Sequence, residues 1–344
     1  MSQTLEVAAE QAAVVAALET GRIAGEAAPM RRIDTHMSHL FIGEDQVLKL
    51  KRAVTHPFAD MSTRAARKAA CEEELAVNAA LAPGLYDRVV AVTREADGRL
   101  VLDGAGEAVD WLVRLKRFAD GALFSELADT GGLTEALVTE AVDAVAGYHA
   151  RLQPHREAGH AVDYLRIVEG LRRTEAEAAA ALDLSPASEP LLAAIEHEVR
   201  RLTPLIEARR KAGFVRRGHG DLHLRNICLF EGRATPFDAL EFDPALATAD
   251  VLYDIAFLIL DLRARGMDAL AEAAERRYWA MAAEPEAARP LLPLFMALRA
   301  AVRTAVAVEA GELEEAARYR AIGLSLLNAS PVREPPQDGS ARPG

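Results

Sequence analysis

Cysteine is scarce in this chain of 344 residues, where only Cys71 and Cys228 occur. Two thiols are too few for a disulfide framework or for a zinc site built from thiolates. Long apolar runs are also missing, because the most apolar stretch, residues 251–262, is interrupted by Asp254 and Asp261. The sequence therefore predicts no helix that crosses a membrane.

Positive charge is scarce where a secretory signal needs it, since acidic Glu6 and Glu10 stand near the amino terminus. We therefore expect a cytoplasmic protein. The net charge of −12 disfavours nucleic acid as a partner and favours a small cationic ligand. No Gly-x-x-x-x-Gly-Lys-Ser/Thr loop occurs either, so these residues contain no Walker-type phosphate site. The oligomeric state cannot be read from these patterns.

The first third of the chain has the pattern of a small sheet. Frequent alanine over residues 5–18, followed by Gly21, predicts a leading helix. Short apolar stretches separated by turn residues predict antiparallel strands over 40–54 and 89–115. The segment 62–81 has few helix breakers, so one helix is expected between the strands.

The remainder is mainly helical in pattern, with apolar side chains at steps of three and four. Two short runs, 227–230 and 234–237, flank a Glu-Gly turn and predict a hairpin. We expect an amino-terminal nucleotide-binding lobe with its leading helix over 1–118 and a helical catalytic lobe over 119–330. A disordered tail is predicted over 331–344, which is rich in proline, glycine and charge.

The sharpest chemical signal is a His-x-Asp-x-x-x-x-Asn pattern over residues 219–226, followed after the hairpin by Asp238. Phosphoryl transfer needs a carboxylate that deprotonates the attacking hydroxyl and oxygen ligands for the magnesium on the phosphates. Asp221 suits the first role. Asn226, five residues later on one tight loop, and Asp238, returned by the hairpin, suit the second.

These residues resemble the catalytic and metal-binding loops of the aminoglycoside phosphotransferase family, which are relatives of protein kinases. The resemblance implies an α+β, protein-kinase-like fold with a small antiparallel-sheet lobe, a larger helical lobe, and ATP and Mg²⁺ bound between them. It implies that Asp221 is catalytic, that Asn226 and Asp238 bind the metal, and that His219 braces the loop.

A lysine that contacts the donor phosphates is expected in the strand 47–51, where Lys49 and Lys51 lie on one face. We favour Lys49, while Lys51 stays open. The resemblance places the carboxylate partner of the lysine on the next helix, in the acidic run 72–74. Glu74 is favoured over Glu72 because it shares a helical face with Asn78 and Leu81, while Glu72 and Glu73 stay open.

Further acids recur on one helical face at Asp250, Asp254 and Asp261. Asp250 and Asp254 resemble the acids that brace the catalytic loop in the family. Asp261 belongs either to a solvated stripe or to an acceptor pocket that binds a cation. No Gly-x-Gly-x-x-Gly precedes Lys49, so residues 36–39 are expected to cover the phosphates with a backbone turn.

The acceptor suggested by this resemblance is a hydroxyl of a small molecule, such as an aminoglycoside, a sugar or an amino alcohol. Residues 35–41 and 237–244 resemble a bacterial subgroup that often carries a carboxy-terminal P-loop kinase domain, which these residues lack, and a separate P-loop partner protein stays open. One alternative is a metal-dependent hydrolase with His219, Asp221, His223 and Asp238 as ligands. Another is a catalytically silent binding module with a kinase-like fold.

Overall fold

The computed structural model describes residues 2–56, 59–182 and 185–328, and the predicted tail over 331–344 lies outside them. The described residues form a sheet-containing amino-terminal lobe and a mainly helical carboxy-terminal lobe, connected by residues 117–123. The amino-terminal elements are α1 (Ser2–Glu19), β1 (Arg31–Asp34), β2 (Ser38–Ile42), β3 (Gln46–Lys51), β4 (Thr55–His56), β5 (Ala59–Asp60), α2 (Arg64–Ala79), β6 (Tyr86–Arg94), β7 (Leu100–Leu102) and β8 (Glu107–Lys116).

Six of these strands form one antiparallel sheet in the order β1-β2-β3-β8-β6-β7. Strand β3 is central, with Lys49 opposite Leu40 on one side and Val113 on the other. Because side chains alternate along a strand, Leu48 and Leu50 join the apolar layer under α1, while both lysines of β3 face the opposite side. The predicted leading helix thus covers one face of the sheet.

Helix α2 covers the other face and begins at an ordinary helix cap. The Thr63 side chain accepts a hydrogen bond from the backbone N–H of Ala66, which satisfies one of the unpaired donors of the first turn. Its inward face buries Cys71, Glu74 and Asn78. The helix therefore points two polar side chains toward the space between the lobes.

The carboxy-terminal lobe packs its helices around one large apolar core. Its elements are α3 (Phe124–Asp129), α4 (Glu135–Arg151), α5 (Ala161–Ala181), α6 (Glu189–Ala212), β9 (Val215–Arg217), β10 (Ile227–Phe230), β11 (Arg233–Pro236), α7 (Pro244–Ala247), β12 (Thr248–Asp250), α8 (Val251–Ala264), α9 (Asp268–Ala282), α10 (Leu291–Glu309) and α11 (Leu313–Asn328).

One helical segment of this lobe, Glu286–Glu309, is long and apolar enough to cross a membrane. Its most apolar window is 78% buried inside the protein, as expected for the central helix of a core. The apolar stretch 251–262 lies in the shorter helix α8, which has 14 residues.

The predicted hairpin is present as β10 and β11, which pair antiparallel with Ile227 opposite Pro236. Strand β9, just before the His-x-Asp loop, pairs with β12, just before α8. The loop is consequently held between the start of α8 on one side and the hairpin on the other.

Candidate active site

The His-x-Asp loop makes a tight turn that requires glycine at position 220. Gly220 has φ +81, and a Cβ there would lie 2.8 Å from Leu240 Cδ1 and 3.1 Å from Ala247 Cβ. A left-handed backbone without room for a side chain is a position that glycine alone adopts cheaply. The turn exposes the N–H groups of His219 and Gly220 to a single buried carboxylate, that of Asp254.

Asp254 of α8 braces this turn. Its carboxylate accepts hydrogen bonds from His219 N at 2.6 Å and Gly220 N at 2.9 Å, and from His149 Nε2 at 3.0 Å. Burial opposes ionisation of the group, but the hydrogen bond and charge of His149 outweigh it and lower the pKa of Asp254 to about 2. The brace is therefore an ionised carboxylate at neutral pH.

Asp250 does not contact the loop, contrary to the sequence prediction. Both of its carboxylate oxygens accept from Arg209 at 2.7 Å, and one also caps α8 through Leu252 N. Asp250 precedes the first turn of α8, so its side chain is taken up by the helix terminus and by α6. The second acid that contacts the loop is instead Asp261. Its carboxylate accepts a hydrogen bond from Leu224 N, in the middle of the loop, at 2.9 Å.

Asp261 is thus not part of a solvated stripe, and it lines a cavity in which Arg265 already lies against it. It is 7% exposed, and its second oxygen lies 3.4 Å from Arg265 Nε. The sequence pattern placed three acids on one face of a helix, but it could not show which of them reach the loop.

Asp221 lies at the turn between these braces with its carboxylate partly exposed. Asn226 Nδ2 donates to its main-chain oxygen at 2.9 Å and to Oδ2 at 3.1 Å, and His223 Nε2 lies 3.3 Å from Oδ2. Burial by itself would raise the pKa of Asp221, but His223 outweighs burial and holds the pKa below the usual range. Asp221 is ionised at neutral pH.

His219 connects this loop to the segment after the hairpin. Its Nε2 lies 2.9 Å from Phe237 O, and its Nδ1 accepts from Asp221 N at 3.3 Å. These partners require a neutral ring with the proton on Nε2. Burial lowers the pKa of His219, which agrees with a neutral ring. The ring is 1% exposed and both nitrogens are occupied by the backbone.

Asp238 follows the hairpin in an unusual backbone conformation, with φ +62. Its N–H donates to the Tyr86 hydroxyl at 3.2 Å, and the next N–H, of Ala239, donates to Asn78 Oδ1 at 2.8 Å. Phe237 N donates to Asn226 O at 2.9 Å. A left-handed conformation at a non-glycine residue costs energy and is retained where surrounding contacts hold it, often at a functional site.

Lys49 brings the amino-terminal lobe into contact with this segment. Its Nζ lies 2.5 Å from Asp238 Oδ1 and 2.8 Å from Glu74 Oε1. Burial would lower the pKa of Lys49, but the charges of Asp238 and Glu74 raise it well above its usual range. Lys49 is therefore a fixed cation between α2 and the segment after the hairpin.

The acidic run of α2 separates into three environments. Glu74 is fully buried at the lysines, whereas Glu72 lies near Lys68 on the exposed side of the helix. Glu73 pairs with Arg217 of the carboxy-terminal lobe at 2.5 Å. Glu74 is the member of the run that faces Lys49.

Lys51 is not a solvated alternative to Lys49 but a second buried partner of Glu74. Its Nζ lies 2.5 Å from Glu74 Oε2 and forms a short ion pair with Glu241, which sequence reasoning missed. Lys51 is 1% exposed and Glu241 7% exposed. Glu241 stands three residues after Asp238, and that position was the one sequence signal that could have found it.

The expected phosphate-covering segment, residues 36–39, lies only half in a turn. His36 and Met37 connect β1 to β2, whereas Ser38 and His39 belong to β2 and are buried. The Thr35 side chain closes the turn, accepting from Ser38 N at 3.0 Å. The turn is the β1-β2 hairpin, and β2 lies directly beside β3 and its lysines.

A cavity of about 380 Å³ opens beside Asp221 on the side of α8 and α11. His223 lines it, and the Phe257 ring packs edge-on against His223 with the centroids 5.2 Å apart. The described residues include no group of three or more His, Cys, Asp and Glu side chains arranged to hold a metal.

Comparisons with known proteins give both sequence relatives and structural neighbours. No family model matches the chain. An uncharacterized protein of Mycobacterium tuberculosis is 27% identical over 280 residues, which cover 79% of this chain and 53% of the relative, and a Mycobacterium bovis protein matches equally. The chain spans about half the length of the curated relatives it matches.

The solved structure of aminoglycoside phosphotransferase APH(4)-Ia is similar, with a TM-score of 0.52 at 14% identity, covering 93% of this chain and 99% of that one. A thermostable mutant of the same enzyme, in ternary complex with AMP-PNP and hygromycin B, has a TM-score of 0.51 at 14% identity, covering 88% and 93%. The likeness confirms the predicted fold: the chain has the two-lobed, protein-kinase-like α+β fold of aminoglycoside phosphotransferase.

Proposed function

We propose that this protein is an ATP- and Mg²⁺-dependent phosphotransferase that moves the γ-phosphoryl group to a hydroxyl of a small molecule. One observation carries the proposal. Lys49 from the sheet and Asp238 from the hairpin segment meet across the lobes, and a chain of hydrogen bonds links that segment to Asp221 and Asn226. These groups are the ones that phosphoryl transfer between a nucleotide and an alcohol requires.

The side chains of Asp238 and Asn226 carry the oxygen donors that a magnesium ion prefers. Asp238 and Asn226 offer a carboxylate and an amide oxygen, the hard donors that Mg²⁺ takes together with water and phosphate oxygens. Asn226 uses its amide nitrogen toward Asp221, so its oxygen is the atom left for a metal. When bound, the ion would supply positive charge against the phosphates.

The residues also fit a nucleotide. Partly buried apolar side chains lie where the lobes meet, contributed by Val47 of β3, Phe118 of the connection and Phe237 after the hairpin. The rings of Phe118 and Phe237 meet at 5.5 Å in an edge-on arrangement. A purine ring needs such an apolar cleft, with the phosphates directed toward Lys49.

In this mechanism Asp221 accepts the proton of the attacking hydroxyl through its partly exposed carboxylate, and Asn226 holds that carboxylate in place. Lys49 is kept protonated by Glu74 and neutralises donor phosphate charge. Asp254 fixes the loop so that Asp221 stays aimed at the acceptor. Each of these roles belongs to a side chain that its contacts in the structure already hold in position.

The contacts of His219 support this reading over a metal-dependent hydrolase. A histidine ligand needs a free ring nitrogen, and both nitrogens of His219 bind the backbone. The hydrolase reading also gives no role to Lys49 and Glu74, two charges buried together at some cost. For a silent binding module, the ionised and partly exposed Asp221 would be without a purpose.

The experiment that tests the proposal replaces Asp221 by Asn. ATP consumption across amino sugars, simple sugars and amino alcohols should fall about 10²- to 10⁴-fold, because the proton acceptor is removed. The ATP dissociation constant should change little, since Asp221 does not contact Lys49. Asp268→Asn, at a 67% exposed side chain on α9, is the matched control and should retain full turnover. Full turnover in Asp221→Asn would refute the proposed mechanism.

A further inference from the structure

The cavity beside Asp221 is placed to hold the acceptor. His223 lines it and lies 3.3 Å from Asp221 Oδ2, while Asp261, also in the lining, holds the loop through Leu224 N. A molecule in this space contacts His223, which links the cavity to Asp221. A volume of about 380 Å³ is at the lower end of the roughly 300–1,000 Å³ typical of small-molecule pockets, and it suits one sugar-sized compound.

The carboxylates of the lining are already paired with arginines of the same lining. Asp129 lies 2.7 Å from Arg265, and Asp261 lies 3.4 Å from the same guanidinium. Glu315 lies 2.7 Å from Arg303. Arginines already lie against all three acids, so a cationic acceptor gains less from them than from unpaired carboxylates, and the Asp129 pair, whose carboxylate is 69% exposed, contributes little by itself.

Two further arginines of the lining have no such partner. Arg225, on the His-x-Asp loop, and Arg318, on α11, form no ion pair and no side-chain hydrogen bond with the described part of the chain. Arg318 lies 5.7 Å from the centre of the Tyr319 ring, and both arginines are exposed at the rim. The lining therefore carries uncompensated positive charge in a protein whose net charge is −12.

We infer that the acceptor of the proposed phosphotransfer carries an anionic group, a phosphate or a carboxylate, besides the hydroxyl that is phosphorylated. Arg225 and Arg318 would bind the anion, because guanidinium forks match phosphate and carboxylate oxygens. The Phe257 and Tyr319 rings also lie in the lining, but both are more than nine-tenths buried, so the wall that a ligand meets is mainly polar. This inference rests on the proposed function, and it reverses the preference for a cationic acceptor that net charge alone suggested.

The first arm of the test compares acceptors that share a pyranose skeleton and differ in charge: glucose, glucosamine, glucuronate and glucose 6-phosphate, each with Mg·ATP. The anionic members should have a kcat/KM at least about tenfold higher, as expected for one charge-assisted contact. A preference for glucosamine over the anions would overturn the inference while leaving the phosphotransferase proposal intact.

The second arm measures binding without turnover. Inorganic phosphate is titrated calorimetrically into the full chain in the presence of saturating Mg·ADP, so that the nucleotide site is filled. The double variant Arg225→Gln, Arg318→Gln should bind phosphate at least about tenfold more weakly than the wild type. The matched control is Arg233→Gln, at an 83% exposed arginine on the hairpin, and it should bind as the wild type does.

Equal phosphate affinity in the wild type and the double variant would refute the anion site, whatever the acceptor assays show. The two proposals fail separately. Loss of the anion site leaves turnover dependent on Asp221, whereas full turnover in Asp221→Asn contradicts the phosphotransferase mechanism and does not change phosphate binding at the arginines.

Discussion

Lys49 and Lys51 share the single buried carboxylate of Glu74, and each also contacts an acid of the other lobe, Asp238 or Glu241. Burying one lysine costs free energy that only close counter-charges offset. Two lysines with three carboxylates leave one negative charge in excess, and burial, despite Lys51, raises the pKa of Glu241.

Removing one charged side chain from this cluster should show how much an unpaired buried charge lowers the free energy of unfolding. Lys51→Met leaves Glu241 buried without its counter-charge, so we expect the free energy of unfolding to fall by about 3–5 kcal/mol. Adding Glu241→Leu to Lys51→Met should recover most of this loss, because both charges are then gone. Urea unfolding of the two single variants and the double variant measures the coupling. A coupling near zero would show that the pair does not stabilise the fold.

Helix α8 is the element that holds the His-x-Asp loop. Asp254 binds the N–H groups of residues 219 and 220, and Asp261, two turns later on the same face, binds that of Leu224. The helix therefore fixes the loop at two points along its length. Asp250 at the start of the helix is instead engaged by Arg209.

The hydrogen bonds of Asp254 to the loop should make the free energy of unfolding depend on pH in the acid range. The pKa of Asp254 falls from its usual 3.8 to about 2 on folding, so its contribution is full above pH 4 and is lost as pH falls through 2. This shift corresponds to roughly 2 kcal/mol. The stability difference between wild type and Asp254→Asn, measured by urea unfolding at pH 7, 4 and 2, should shrink by about that amount. A difference that does not change with pH would contradict this assignment.

At the scale of the whole molecule, ion pairs tie the two lobes together beside the cleft. Lys49 with Asp238, Lys51 with Glu241 and Arg217 with Glu73 each join an amino-terminal residue to a carboxy-terminal one. Residues 117–123 supply the covalent connection. A ligand that binds between the lobes therefore contacts both and should stabilise the folded chain as a unit.

Mg·ATP should accordingly raise the melting temperature. At a concentration 100-fold above the dissociation constant the expected gain is about 2.7 kcal/mol, which corresponds to several degrees for a chain of this size. Lys49→Met should abolish most of the shift, because the phosphates lose their cation. Lys211→Met, at an exposed lysine near the end of α6, should keep it. An equal shift in Lys49→Met would place the nucleotide elsewhere.

Local sequence patterns predicted most of the elements. The helix expected over 62–81 is α2, and the expected hairpin is β10 with β11. Alternation in β3 also placed both lysines on one face. These features depend on residues that are near one another in the chain, where propensity, turn residues and periodicity act directly.

By itself the sequence determined the order of the lobes, the contact of Asn226 with Asp221, and the return of the chain at Phe237 to Asn226, because a tight loop and a short hairpin separate these residues by few positions. Only the tertiary structure decided that Asp261 and not Asp250 reaches the loop, that Glu74 contacts two lysines, and that Arg225 and Arg318 line the cavity beside His223. Those outcomes depend on contacts between residues far apart in the chain. The free energies of such contacts come from packing and burial, which no local pattern encodes.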